Sequence, residues 1–151
     1  MLESLGGTDV SHVIQLAVAP VFLLAGIGSI LGVMTNRLAR VVDNARVLEG
    51  RLPSSTPEQQ AHLHARLRTL AQRAKLISRA IALCTLTALL VCATIILLFV
   101  GAFFGVNAAL PAALLFISAL ISFASALVMF LREIFLATAN LRIGAGEHIQ
   151  R

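Results

Sequence analysis

The chain has no tryptophan and no tyrosine, and only 13% of its residues are charged. A soluble domain carries about 25% charged residues, so an ordinary water-facing surface is excluded. The missing Trp and Tyr remove the amphipathic rings that usually sit at a membrane–water boundary. That role falls to Phe22, Phe99, Phe103, Phe104, Phe130 and Phe135, which lack a polar handle, and to arginine. No Lys or Arg precedes residue 13, where Glu3 and Asp9 stand, so the first apolar run lacks the positive leader of a cleaved signal peptide. It is also too long for one, and is expected to be retained. Cysteine is scarce: Cys84 and Cys92 lie two turns apart in one apolar run. Their Cα atoms would stand about 12 Å apart in a helix, too far for a disulfide. Walker-type glycine loops, GxSxG, HExxH and CxxC are all absent, which leaves no catalytic motif to build on. No cofactor site is legible either, and His62 and His64 are spaced to point apart on a helix.

What is present is apolar length. Three stretches, 13–35, 80–105 and 108–131, contain no charged residue, and 58% of the chain is hydrophobic. About 20 apolar residues cross the hydrocarbon layer as a helix, so each stretch predicts one span. The expected fold is all-α: a single membrane domain over 1–151 with three transmembrane helices. A helical hairpin over 36–79 extends the first two spans, and a tail covers 132–151.

Charge sets the expected orientation. Residues 36–79 hold nine basic side chains against Asp43, Glu49 and Glu58, while the link at Val106–Asn107 has none. Basic loops stay cytoplasmic. The hairpin and C-terminal tail are therefore expected inside, with the N-terminus and the short link outside. The basic excess then meets anionic lipid, and no motif accompanies it that would point to nucleic acid.

The hairpin has internal order. Leu38, Val41, Ala45, Leu48 and Leu52, then Leu63, Leu67, Leu70, Ala74, Ile77 and Ile81, recur at alternating steps of three and four. That spacing makes one apolar seam per helix. Gly50 is expected to end the outgoing helix at positive φ. Thr56-Pro57-Glu58-Gln59 reads as the start of the returning one, with Gln59 reaching back as in a capping box. At the base of the hairpin Asn36, Arg37, Arg40 and Asp43 follow the first span, Arg79 precedes the second, and Arg132 and Glu133 follow the third. Similar depth makes Arg37 or Arg79 the expected partner of Glu133, and Asp43 that of Arg40. This cluster reads either as interfacial anchoring or as a gate at a cytoplasmic mouth.

Inside the spans no charge remains, which argues against a proton pump or a carboxylate-coupled transporter. Gln15, Pro20, Gly28, Gly32, Ser118 and Ser122 are the candidate packing or pore-lining positions. Gly28 and Gly32 form a GxxxG that allows close helix approach. Ser118 and Ser122, four apart, are expected to face one way.

Three segments also resemble a catalogued family: IQLAVAPVFLLAGIGSILGVMTNRLARVVDNAR (Ile14–Arg46), RAIALCTLTALLVC (Arg79–Cys92) and FLREIFLA (Phe130–Ala137). They are similar to the bacterial membrane proteins grouped as domain of unknown function 2721, from Ile14 to about Ile143. The resemblance implies three spans in the bacterial inner membrane and implies no activity. Matched to its motifs, Pro20, Asn36, Arg37, Arg40, Asp43, Arg132 and Glu133 are the positions to test first. Two non-enzymatic readings follow. The first is a homo-oligomeric assembly that conducts ions or small solutes. The alternative is a structural or regulatory membrane subunit whose hairpin docks a protein partner.

Overall fold

The computed structural model describes residues 4–144, with side chains over 11–137 apart from residue 13. Expectations placed on residues 1–3 and 145–151 lie outside the described residues. The described chain is all helical. Helix α1 runs Ser4–Arg51, α2 Pro57–Phe104 and α3 Ala109–Gly144, with a 3-10 turn at Leu52–Ser54. Helices α1 and α2 are 48 residues each, more than twice the length that a crossing needs. The first charge-free stretch and the residues after it therefore form one uninterrupted helix. Pro20 lies inside it and is buried. Three helices are long and apolar enough to cross a membrane, which marks a multi-pass membrane protein by length and composition.

The chain divides into two compact units. Within the described residues, one comprises 4–31 and Leu83–Ser125, the other Gly32–Ala82 and 126–144. In the first unit most of the buried positions carry small side chains. Ala17, Pro20, Ile27, Cys84, Thr87, Val91, Thr94, Gly101, Ala112, Ala119 and Ser122 are buried. Phe22, Leu89, Ile96, Phe103, Leu110 and Ile121 are exposed, Phe103 at 85%. Large apolar side chains are ordinarily the most buried. Their inversion here fits a lipid surround, where helices associate through small residues rather than by expelling water.

The end of α2 shows why glycine stands where it does. Gly105 has φ +65, the conformation that a residue just past a helix adopts most cheaply when it has no Cβ. The Val106 N–H then donates back to the Gly101 carbonyl at 3.0 Å, closing the wide loop of a Schellman cap. A Cβ on Gly101 would stand 2.5 Å from the Ala108 Cβ, so the link can fold over that position only because the side chain is missing.

In the second unit every expected seam residue of α1 and α2 is buried or half-buried, with Val41 and Ile77 the deepest. The turn between the helices differs from expectation. Gly50 is not the terminator: α1 continues to Arg51, and Gly105 is the glycine at positive φ among the described residues. The Arg51 carbonyl is satisfied instead by hydroxyls, from Ser55 Oγ at 2.7 Å and Ser54 Oγ at 3.2 Å. With the last carbonyl capped in that way no left-handed residue is required. On the other side of the turn, Pro57 is the first residue of α2. The Thr56 N–H donates to Gln59 Oε1 at 3.1 Å, the backward half of a capping box. Gln60 Nε2 donates to the Ser55 carbonyl at 3.2 Å and the Leu52 carbonyl at 3.4 Å, tying the turn to α2.

Candidate functional site

Glu133 on α3 is completely buried in the second unit. An ionised carboxylate there needs compensating charge and hydrogen bonds, because desolvation alone costs several kcal/mol. Arg73 on α2 supplies most of it. Its Nε and Nη2 both donate to Glu133 Oε1, at 3.1 and 2.8 Å. Arg37 on α1 adds an ion pair, Nη1 to Oε2 at 3.5 Å. Its guanidinium also lies over the Phe130 ring, 5.4 Å from the centroid. Phe130 precedes Glu133 by three residues, so one face of α3 offers Arg37 both a ring and a carboxylate. Among the described residues Oε2 accepts no hydrogen bond. Two cations therefore surround one anion, and a single carboxylate holds an arginine from each of the other two helices.

Of the candidate cluster, Arg37 and Glu133 meet. Arg79, the other expected partner, does not take part: it is exposed, and Arg73 stands in its place. The reason is rotation about the helix axis. Arg73 precedes the buried Ile77 by four and Ala80 by seven, which puts all three on one face. Arg79 follows Ile77 by two and points elsewhere. Depth along the sequence pointed to Arg79, whereas the three-and-four step identifies Arg73. Asn36, Arg40, Asp43 and Arg132 are exposed. No ion pair joins Arg40 to Asp43 among the described residues.

The span candidates in the first unit separate in the same way. Ser122 is buried and donates to the Leu83 carbonyl of α2 at 3.1 Å, the carbonyl that Thr87 Oγ1 also reaches at 2.8 Å. Ser118 is exposed and returns to the Leu114 carbonyl of its own helix at 2.8 Å. The two serines thus do not share a buried face, because the buried register of α3 steps from Ala119 to Ser122. Gln15 is exposed. Gly28 is exposed too, with open space where a Cβ would stand, as is Gly32 in the second unit. Among the described residues neither glycine of the GxxxG brings helices together.

A second feature of the second unit went unread in the sequence. A shallow groove of about 470 Å³ runs between α1 and α2, floored by Val41, Val42, Ala45, Leu67, Leu70, Ala71 and Ala74 and edged by Arg46, Glu49, His64 and Arg68. Val42 is about 140° around α1 from Arg37, and Ala71 about 160° around α2 from Arg73, at 3.6 residues per turn. Val41 and Leu70, about 40° and 60° from those arginines, form the part of the lining nearest them, and Val42 and Ala71 the part farthest away. The signal was available: Ala71 and Ala74 leave α2 narrow on that side. Among the described residues no group of three His, Cys, Asp or Glu could hold a metal ion. Cys84 and Cys92 are free thiols.

A family model described as "Protein of unknown function (DUF2721)" matches residues 17–143. No curated protein and no solved structure matches the chain.

Proposed function

The chain belongs to the DUF2721 family, a membership that names no activity, and we propose on other grounds a non-enzymatic membrane-anchored subunit whose helical pair docks a partner helix. The observation that carries this reading is the open apolar groove between α1 and α2. It is lined by residues 41–49 and 64–74, all outside the charge-free stretches. A groove floored by Val, Leu and Ala is the kind of surface that accepts an amphipathic helix. The arginines held by Glu133 support the same reading. A carboxylate clamped to two other helices fixes how the pair stands on α3, as a docking surface requires. In this reading the bilayer is the bacterial inner membrane. The basic pair and the C-terminus lie on the cytoplasmic side and the N-terminus outside, as the arginine bias favours.

The test is thiol protection at Ala71→Cys, in a chain carrying Cys84→Ala and Cys92→Ala. The site should be shielded from a soluble maleimide in native membranes and reactive once the protein is purified into lipid discs. Equal reactivity in both would remove the groove's role.

A second reading, a homo-oligomer that conducts ions or small solutes, draws on one observation. Gly28 and Gly32 are exposed with nothing over them, and small outward residues in spans favour packing against another helix. Ion flux in proteoliposomes, lost on Gly32→Leu, would support it. The hydroxyls speak less for conduction, since Thr87, Thr94, Ser118, Ser122 and Ser125 all donate to helix carbonyls.

A further inference from the structure

The groove has chemistry as well as shape, and we infer that its occupant is an amphipathic α-helix of another protein whose small apolar face is flanked by acidic residues. This rests on the docking reading and names the partner's class.

Shape comes first. Val42, Ala45, Ala71 and Ala74 are short side chains facing the groove from both helices. Packed helices lie 8–10 Å apart with ridges seated in grooves. Short floor residues let a third helix seat its own side chains between α1 and α2 without displacing either. The occupant's contact face then repeats every three to four residues, the periodicity of helix-in-groove recognition.

Charge selects among the helices that would fit. Arg46 edges the groove from α1 and Arg68 from α2, against the single acid Glu49. None of the three takes part in an ion pair among the described residues. Residues 36–79 as a whole carry nine basic side chains and three acidic ones. A second copy would bring the same cationic edges against these, which like-charge repulsion disfavours. A helix with glutamates or aspartates beside its apolar face meets both arginines. Lipid is disfavoured by position. Val41 lies six residues beyond Thr35, and Ala74 six before Ala80, so the floor begins about 9 Å along each helix from the charge-free stretch and extends away from it.

The test uses the full chain in lipid discs and fluorescence anisotropy with three synthetic helices. One carries a Leu/Ala face flanked by Glu, one the same face flanked by Lys, and one the Glu flanks with the face scrambled. The Glu-flanked helix should bind about tenfold or more tighter than either control, and more weakly as salt rises. Arg46→Glu with Arg68→Glu, both exposed positions, should reverse the preference between Glu and Lys flanks, and Ala71→Trp should abolish binding. Equal binding of the scrambled helix, indifference to Ala71→Trp, preference for Lys flanks or no binding at all would each overturn the inference. A disulfide linking two chains through Ala71→Cys in native membranes would overturn it as well, by making the occupant a second copy. Thiol protection at Ala71→Cys together with no charge preference would remove this inference alone and leave the docking reading standing.

Discussion

Arg73 places two N–H donors on one oxygen of Glu133, at 3.1 and 2.8 Å, across 60 residues of sequence. The carboxylate has no solvent to fall back on, so losing this arginine leaves a buried charge only partly matched by Arg37 at 3.5 Å. Truncating one member of a buried pair costs about 3–5 kcal/mol. Arg73→Ala should lower the thermal midpoint in a mild detergent accordingly. Arg37→Ala should cost less, because its side chain is one-third exposed. Arg79→Ala, at an exposed position, should stay within about 0.5 kcal/mol of the parent. Equal losses at Arg73 and Arg79 would refute the assignment.

Much of the fold was legible because its determinants are one-dimensional. Charge-free length gives the helices, and apolar steps of three and four continue from 38 to 52 and from 63 to 81 without a break. What escaped was rotation. Arg73 and Arg79 are both arginines near the second span, and only facing relative to Ile77 separates them. The same holds for Ser118 and Ser122, of which one returns to its own helix and the other crosses to Leu83. The groove escaped for a different reason. The seam itself was read, with Val41, Ala45, Leu67, Leu70 and Ala74 in it, but Val42 and Ala71 fall outside the three-and-four step and join the lining only when the two helices stand side by side.

Gly50 offers a sharp discrimination. A glycine terminating α1 at positive φ would lose stability on replacement by alanine. Gly50 is instead inside α1, with open space around it. In mid-helix glycine is about 0.5–1 kcal/mol worse than alanine, and at the next-to-last residue of α1 the same sign holds with a smaller size. Gly50→Ala should therefore raise the thermal midpoint, and a drop would return Gly50 to the role of terminator.

Gly101, under the α2–α3 link, and Gly32, on α1, are expected to respond in opposite ways to an added methyl. At Gly101 an added Cβ would meet the Ala108 Cβ at 2.5 Å and the Val106 carbonyl oxygen at 3.1 Å. Overpacking of this kind costs about 1–3 kcal/mol, and Gly101→Ala should destabilise by that amount. At Gly32 nothing lies within 4 Å, so Gly32→Ala should leave the melting of the isolated chain unchanged or slightly raised. A loss at Gly32 equal to that at Gly101 would mean that the glycine is covered, and would strengthen the case for assembly through the GxxxG.

Ser122 is the hydroxyl whose removal should be felt. Its Oγ donates to the Leu83 carbonyl of a neighbouring helix at 3.1 Å, whereas Ser118 and Ser125 each bond four residues back on α3 at 2.8 Å. A hydroxyl that returns to its own helix keeps its bond whether or not α3 is packed, so it contributes little to association. A cross-helix bond in a membrane protein contributes about 0.6 kcal/mol on average and up to about 1.7. Ser122→Ala should cost in that range, and Ser118→Ala and Ser125→Ala close to nothing, in the same unfolding assay. Ser122→Cys restores a weak donor of similar size and should recover part of the loss. If all three alanine variants melt alike, Leu83 is not the anchor of α3, and Ser122 is buried only because it is small.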